Sequence, residues 1–300
     1  MKKVSSQKKR SFRISRIQES PWLYLAPFFV LFLLFKIGPI ISNFVISLYQ
    51  LDIVGAGKFI GVKNYSRLLA DKLFWIALRN TFSYLAMVGP INVIGGFFLA
   101  LLLNQPLRGR GFTRAVIFLP YVIMVTVVGA LWRWILEGNY GILNHYLQKF
   151  FNIESIFWLT TSSTAMVGVV LASVWWTIGY NTVIFLAGLQ DVPKELMEAA
   201  EIDGAGPLRR LVHVTIPCLR STSFFVVLTT IIYSLQVFGQ VYTMTGGGPN
   251  YSTLVLVQHL YISGFRLFKL GYSSTISVVL FIVIFLISLG VFRVNKQTAG

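Results

Sequence analysis

Tyr233, Gln236 and Gln240 stand at i, i+3 and i+7 in a run that is otherwise mostly apolar. On a helix of 3.6 residues per turn these positions share one face. A phenol ring beside two amides offers a plane for the C–H surface of a sugar, and donors and acceptors for its hydroxyls. Asn181 and Trp176 bring the same chemistries to another apolar run, and Asn92, Trp175, Tyr180 and Tyr242 widen the pool. Polar groups in such runs mark solute pathways, although Asn and Gln also join helices to one another and Trp also forms interfacial belts. Lys36 is a cation near the middle of a run. A charge at the centre of a membrane costs roughly 2.5–3.5 kcal/mol on insertion scales. Lys36 therefore either snorkels to the surface or faces a wet path, where it would favour an anion.

Chemistry on a substrate finds no equipment here. The sequence carries no Ser/His/Asp set, no paired carboxylates and no metal box, so no catalytic or metal residue is assigned. Cys218 is the single cysteine, which excludes an intrachain disulfide, and His145, His213 and His259 are too dispersed for zinc. A phosphate-binding loop needs Gly-x-x-x-x-Gly-Lys-Ser/Thr. Gly55-Ala56-Gly57-Lys58-Phe59 lacks the first glycine and the hydroxyl residue, and no Lys-Ser/Thr follows Gly246-Gly247-Gly248. No cofactor belongs to this chain, and any ATP with its magnesium must sit on another subunit.

Composition supplies the setting. Hydrophobic residues make up 55% of the 300 and charged residues 12%, against about 25% charged in soluble domains. Lipid is the solvent that such a chain fits. Six apolar segments, at about 22–48, 76–103, 114–136, 164–189, 221–244 and 273–292, are long enough to cross it as helices. The net charge of +16 falls at the ends of these runs, which fits membrane topology and anionic lipid rather than nucleic acid. Sixteen Lys and Arg lie on the side of both termini and seven on the other, so both termini are expected in the cytoplasm. Residues 1–21 form a basic cytoplasmic segment, 22–292 a six-span domain and 293–300 a tail. The long first run with Lys36 and no Ala-x-Ala site reads as a retained span. Asn64-Tyr65-Ser66 and Asn250-Tyr251-Ser252 have the form of glycosylation sequons on the outer side.

One inner loop, 191–217, departs from the positive rule. Asp191, Glu195, Glu198, Glu201 and Asp203 are half of the chain's ten acidic residues. Asp191 can cap a helix with Pro193 in its first turn, and Leu196, Ala199 and Ala200 give it an apolar stripe. Gly204 breaks this helix. Asp203 can cap a second, with Leu208, Leu211, Val212 and Thr215 on one face, which Pro217 ends. Helices that rest on lipid favour basic polar faces; an acidic elbow with small residues points to a docking protein.

Glu198-Ala199-Ala200, Asp203-Gly204-Ala205 and Ile216-Pro217 resemble the EAA loop of permease subunits in bacterial ABC importers that use solute-binding proteins. Thr245-Gly246-Gly247-Gly248-Pro249 with Thr253 resembles an outer-loop signature of the maltose, glycerol-3-phosphate and multiple-sugar group, and Phe118-Leu119-Pro120 is similar to that group's third span. Gly206-Pro207 departs from the pattern of many relatives. The resemblance implies an all-α polytopic inner-membrane protein of the type I importer kind with a cytoplasmic coupling loop. It implies that Glu198, Ala199, Ala200, Asp203, Gly204, Ala205 and Pro217 engage an ATPase. Gly247, Gly248 and Pro249 would face a binding protein. The implied partners are a second homologous permease, two ATPase subunits and an extracytoplasmic solute-binding protein. Against this stand an ion-coupled carrier, which would want an intramembrane Asp or Glu that the six segments lack in their centres, and a membrane scaffold without transport.

Overall fold

The computed structural model describes residues 21–52, 57–106 and 109–297. The basic segment before residue 21 and the last three residues of the tail, both expected in the cytoplasm, lie outside them.

The architecture is helical. Helix α1 is built from Pro21–Phe32, a π-turn at Leu33–Ile37 and Gly38–Ser47. A two-residue hairpin, β1 (Tyr49–Gln50) against β2 (Lys58–Phe59), leads to α2 (Lys63–Ala70) and the 33-residue α3 (Lys72–Asn104). Then follow α4 (Arg110–Val122), α5 (Val125–Ile135), α6 (Ile142–Phe151) and α7 (Ala165–Gln190). The elbow comprises α8 (Lys194–Ile202) and α9 (Pro207–Cys218). The chain closes with α10 (Arg220–Leu235), α11 (Gly239–Met244), α12 (Leu256–Tyr261, continued as a π-turn over Ile262–Arg266) and α13 (Leu270–Gln297).

Among the described residues, four helices are long and apolar enough to span a membrane, in α1, α3, α7 and α13, or up to six if each of two bent pairs is one span. One bend falls inside the third expected span, 114–136; the other falls where the elbow meets the fifth apolar run. Between α4 and α5 the axis turns by 99°, and between α9 and α10 by 69°. The fifth apolar run breaks a second time at residues 236–238, ahead of α11. Large apolar side chains such as Phe28, Leu34, Phe285 and Leu286 are exposed on the outer helices. This is the surface expected where lipid replaces water.

Packing relies on small residues, as it must where apolar burial against lipid tails gives little drive. A Cβ on Gly179 would lie 2.0 Å from the Ile117 carbonyl oxygen, so α4 rests directly on α7. A Cβ on Gly129 would lie 2.0 Å from Thr243 Oγ1, which joins α5 to α11. One buried cluster (Ala100, Leu103, Phe185, Leu189, Leu219, Val226) fills the elbow end. Another (Leu68, Phe74, Ala77, Leu254, Ile276) lies where α2, α3, α12 and α13 meet. Asn64 is buried and donates to the carbonyls of Ser47 and Tyr49, so its sequon is closed to modification.

Candidate functional site

Two breaks meet halfway along α3 and α7. The carbonyl of Ile123, freed where α4 ends, accepts a 3.0 Å hydrogen bond from Trp176 Nε1 on α7. Gly239, at the start of α11, packs so tightly on Val125 that a Cβ would sit 2.8 Å from its Cγ1. Side-chain donors at helix breaks re-satisfy backbone groups that lipid cannot. The space that the two bends leave is a cavity of about 320 Å³.

Five of the six residues expected on a solute path line this cavity: Trp176, Asn181, Tyr233, Gln236 and Gln240. The reason expected for three of them is corrected. Tyr233, Gln236 and Gln240 do not share one helix face, because α10 stops at Leu235 and Gln236 is its C-cap. The break, rather than helical periodicity, turns all three toward the same space. Lys36 is not among the lining residues. It lies exposed in the π-turn of α1, whose membrane-length window is wholly unburied. Sequence gave no helix rotation by which to tell a lipid-facing cation from a cavity-facing one.

The lining is aromatic on one wall and amide-bearing on another. Tyr121 stacks on Tyr180 with centroids 4.7 Å apart and an interplanar angle of 21°, and lies 5.9 Å from Trp176. Asn92 Nδ2 donates to Thr177 Oγ1 at 2.8 Å, and Asn181 Nδ2 donates to Thr230 Oγ1 at 3.1 Å. Tyr84, Tyr121, Thr177 and Thr230 were missed by the sequence reading. The signal available for Tyr121 was its place directly after Phe118-Leu119-Pro120. Trp175 faces away from the cavity lining and packs edge-on against Trp132 at 5.9 Å.

The elbow is built in the opposite manner. Gly204 adopts φ +74°, the left-handed conformation that glycine accepts at little cost. Its N–H donates to the Glu201 carbonyl, and the Ala205 N–H reaches back to the Ala200 carbonyl at 2.9 Å. These two bonds form a complete Schellman stop. Asp203 is the C-cap of α8 and Asp191 the C-cap of α7, so neither caps a helix start as expected. Pro193 and Gly206 hold those N-cap places, and Pro207 starts α9 where no N–H is needed. Pro217 lies within the last turn of α9, and the bend follows at Leu219. Arg210 pairs with Glu201 at 2.9 Å across the two arms. No residue of α8 is buried. Glu198, Ala199, Asp203 and Gly204 are exposed, Ala200 and Ala205 half-buried. Ile202 is 87% and Leu208 74% exposed, an apolar surface that none of the described residues covers.

The loop carrying Gly247, Gly248 and Pro249 is tied down. Thr253, fully buried, donates to the Gly248 carbonyl and shares a 2.8 Å hydrogen bond with Thr245. Asn80 donates to the carbonyls of Tyr251 and Leu254. A further cluster joins α2, α12 and α13: Asp71 accepts from Leu73 N–H and from the Tyr272 hydroxyl, and lies 3.1 Å from His259 Nε2.

Known proteins sharpen the picture. Residues 92–297 match the model of the family described as binding-protein-dependent transport system inner membrane component. The chain is 38% identical over 274 residues to the probable ABC transporter permease protein YurN of Bacillus subtilis, covering 90% of this chain and 93% of that one. It is 34% identical to the sn-glycerol-3-phosphate transport system permease protein UgpA of Yersinia pestis, covering 88% and 90%. It is 30% identical to the trehalose/maltose transport system permease protein MalF of Thermococcus litoralis, covering 92% and 93%. The fold matches a subunit of a bacterial ABC transporter that imports the acidic polysaccharide alginate, with a TM-score of 0.81 at 20% identity, over 95% of this chain and 99% of that one. These relatives are non-catalytic membrane subunits, and the chain belongs to the family of binding-protein-dependent transport system inner membrane components.

Proposed function

We propose that this chain forms half of the translocation path of an ATP-driven importer for a sugar, oligosaccharide or sugar derivative. The cavity at the two helix breaks carries this reading. Its aromatic plates and amides sit at mid-length of α3 and α7, where a solute crossing the bilayer would have to pass. Trp176, Asn181, Tyr233, Gln236 and Gln240 are the path residues, and Lys36 is left out. The relatives named for glycerol phosphate and trehalose/maltose support a sugar-like solute.

The elbow is the docking element for a separate ATPase. Its exposed Ile202 and Leu208, with Glu198 and Asp203 beside them, provide an apolar centre with an acidic rim. Nucleotide-driven closure would select one elbow position and so one opening of the path. The elbow and both termini then lie in the cytoplasm, and Gly247, Gly248 and Pro249 face the binding protein across the membrane. A second homologous permease completes the path, and two ATPase subunits carry ATP and magnesium. The experiment is reconstitution of the tagged complex in liposomes, with ATP and the binding protein on opposite sides. ATP-dependent accumulation of a sugar is the expected result; accumulation driven by an ion gradient without nucleotide refutes the reading.

A further inference from the structure

Family membership leaves the charge of the solute open, because relatives are named for a phosphate ester and for a neutral disaccharide alike. This chain's side of the cavity favours one answer. Among the described residues that line it there is no Lys, Arg, His, Asp or Glu. An anion placed there would give up water for a low-dielectric space with no counter-ion, which is strongly unfavourable.

Asn92 adds a sign to the polar lining. It is only 3% exposed and lines the cavity. Its Nδ2 is committed to Thr177 Oγ1, and the Thr177 hydroxyl proton is committed to the Ser173 carbonyl at 2.7 Å. Thr177 Oγ1 can therefore only accept from Asn92, which fixes the amide's orientation. Asn92 Oδ1 is left buried with no partner among the described residues. A buried acceptor without a donor is a standing cost, relieved by a group that brings an O–H. A carboxylate or phosphate group itself offers it only lone pairs, so the hydroxyls of a solute are what can meet this acceptor, and the missing counter-ion is what disfavours an anion.

We infer that the cavity takes an uncharged, hydroxyl-bearing solute, a neutral glycoside or polyol, and discriminates against uronates, sugar phosphates and sulfonates, with Asn92 Oδ1 receiving a solute hydroxyl. This rests on the transport reading above. The test uses the whole complex, purified through this chain and reconstituted with its binding protein. Two pools are presented together: neutral di- and trisaccharides, and the matching uronic-acid oligomers. The contents of the vesicle lumen are identified by mass spectrometry after ATP is added. Neutral members enriched about ten-fold or more over acidic ones are expected. Acidic members enriched in their place overturn the inference and leave the transport reading standing. ATP-dependent enrichment of neither pool overturns the transport reading itself, and the inference with it. Asn92→Leu is expected to lower neutral uptake about ten-fold while the ATPase still copurifies; unchanged uptake removes Asn92 from solute binding.

Discussion

The cavity and the elbow solve contrary problems with the same few residue types. Around the cavity, glycines let helices touch, and side-chain hydrogen bonds hold the broken backbone: Gly179 against Ile117, Gly239 against Val125, Trp176 on Ile123. In the elbow, a Cβ added to Gly204 would meet no atom within 4 Å, and α8 buries no residue. One region is closely packed within the chain. The other has a finished backbone shape and an unfinished surface. On the proposed reading, rigid packing surrounds the place for a small solute, and an exposed, self-capped turn is where the subunit would be gripped.

The comparison breaks most sharply at Gly179. Gly179→Leu forces α4 off α7 and should destabilise the protein by about 3 kcal/mol. A melting temperature of the detergent-purified chain lowered by several degrees is expected, and an unchanged one would deny the close contact. Gly204→Val places a branched residue in left-handed backbone, at a cost of about 1–2 kcal/mol. Copurified ATPase should fall roughly ten-fold with membrane insertion intact, and Gly204→Asn, which tolerates that conformation, should restore most of it. Equal loss in both variants would point to the side chain rather than the backbone.

Removal of Tyr233 and Gln236 together, both to Ala, sharpens the contrast from the other side. Uptake should drop several-fold, worth about 1 kcal/mol of lost contacts, with ATPase assembly unchanged. Full uptake would take both residues out of the path. The smallest effect is expected at the cluster of Asp71, His259 and Tyr272, with Arg67 over the Tyr272 ring. Burial holds the His259 ring below its ordinary 6.5, although Asp71 pulls it the other way. Burial would raise the Asp71 carboxyl, but the Tyr272 hydroxyl, the Leu73 N–H and His259 together keep it below its ordinary 3.8. Both groups therefore add stability above their unfolded values and lose it as pH falls, His259 first, below about 6.5. A melting temperature that declines modestly from pH 7.5 to 5.5, and declines less in His259→Gln, is the expected pattern. A melting temperature that rises over that interval would contradict it.

Much of this was legible from residue order. Apolar run length found the helices, and Gly204 announced the turn because only backbone geometry is at stake there. The breaks were not legible. Pro120 before the first and Gly239 after the second hint at an interruption, but neither residue says whether the helix kinks or stops. Tertiary partners, Trp176 and Val125, stabilise the interruption. The place of Lys36 outside the cavity lining was hidden for a related reason: periodicity shows that a helix has faces without showing which one meets a neighbour.

Trp176 is both a plate of the cavity wall and the strut beneath the bend in α4–α5. Retuning such a protein for a different solute at this position would also unprop the bend. Exposed Tyr233 and Gln236 carry no comparable burden, so it is at their positions that a lineage could change its diet without remaking its skeleton.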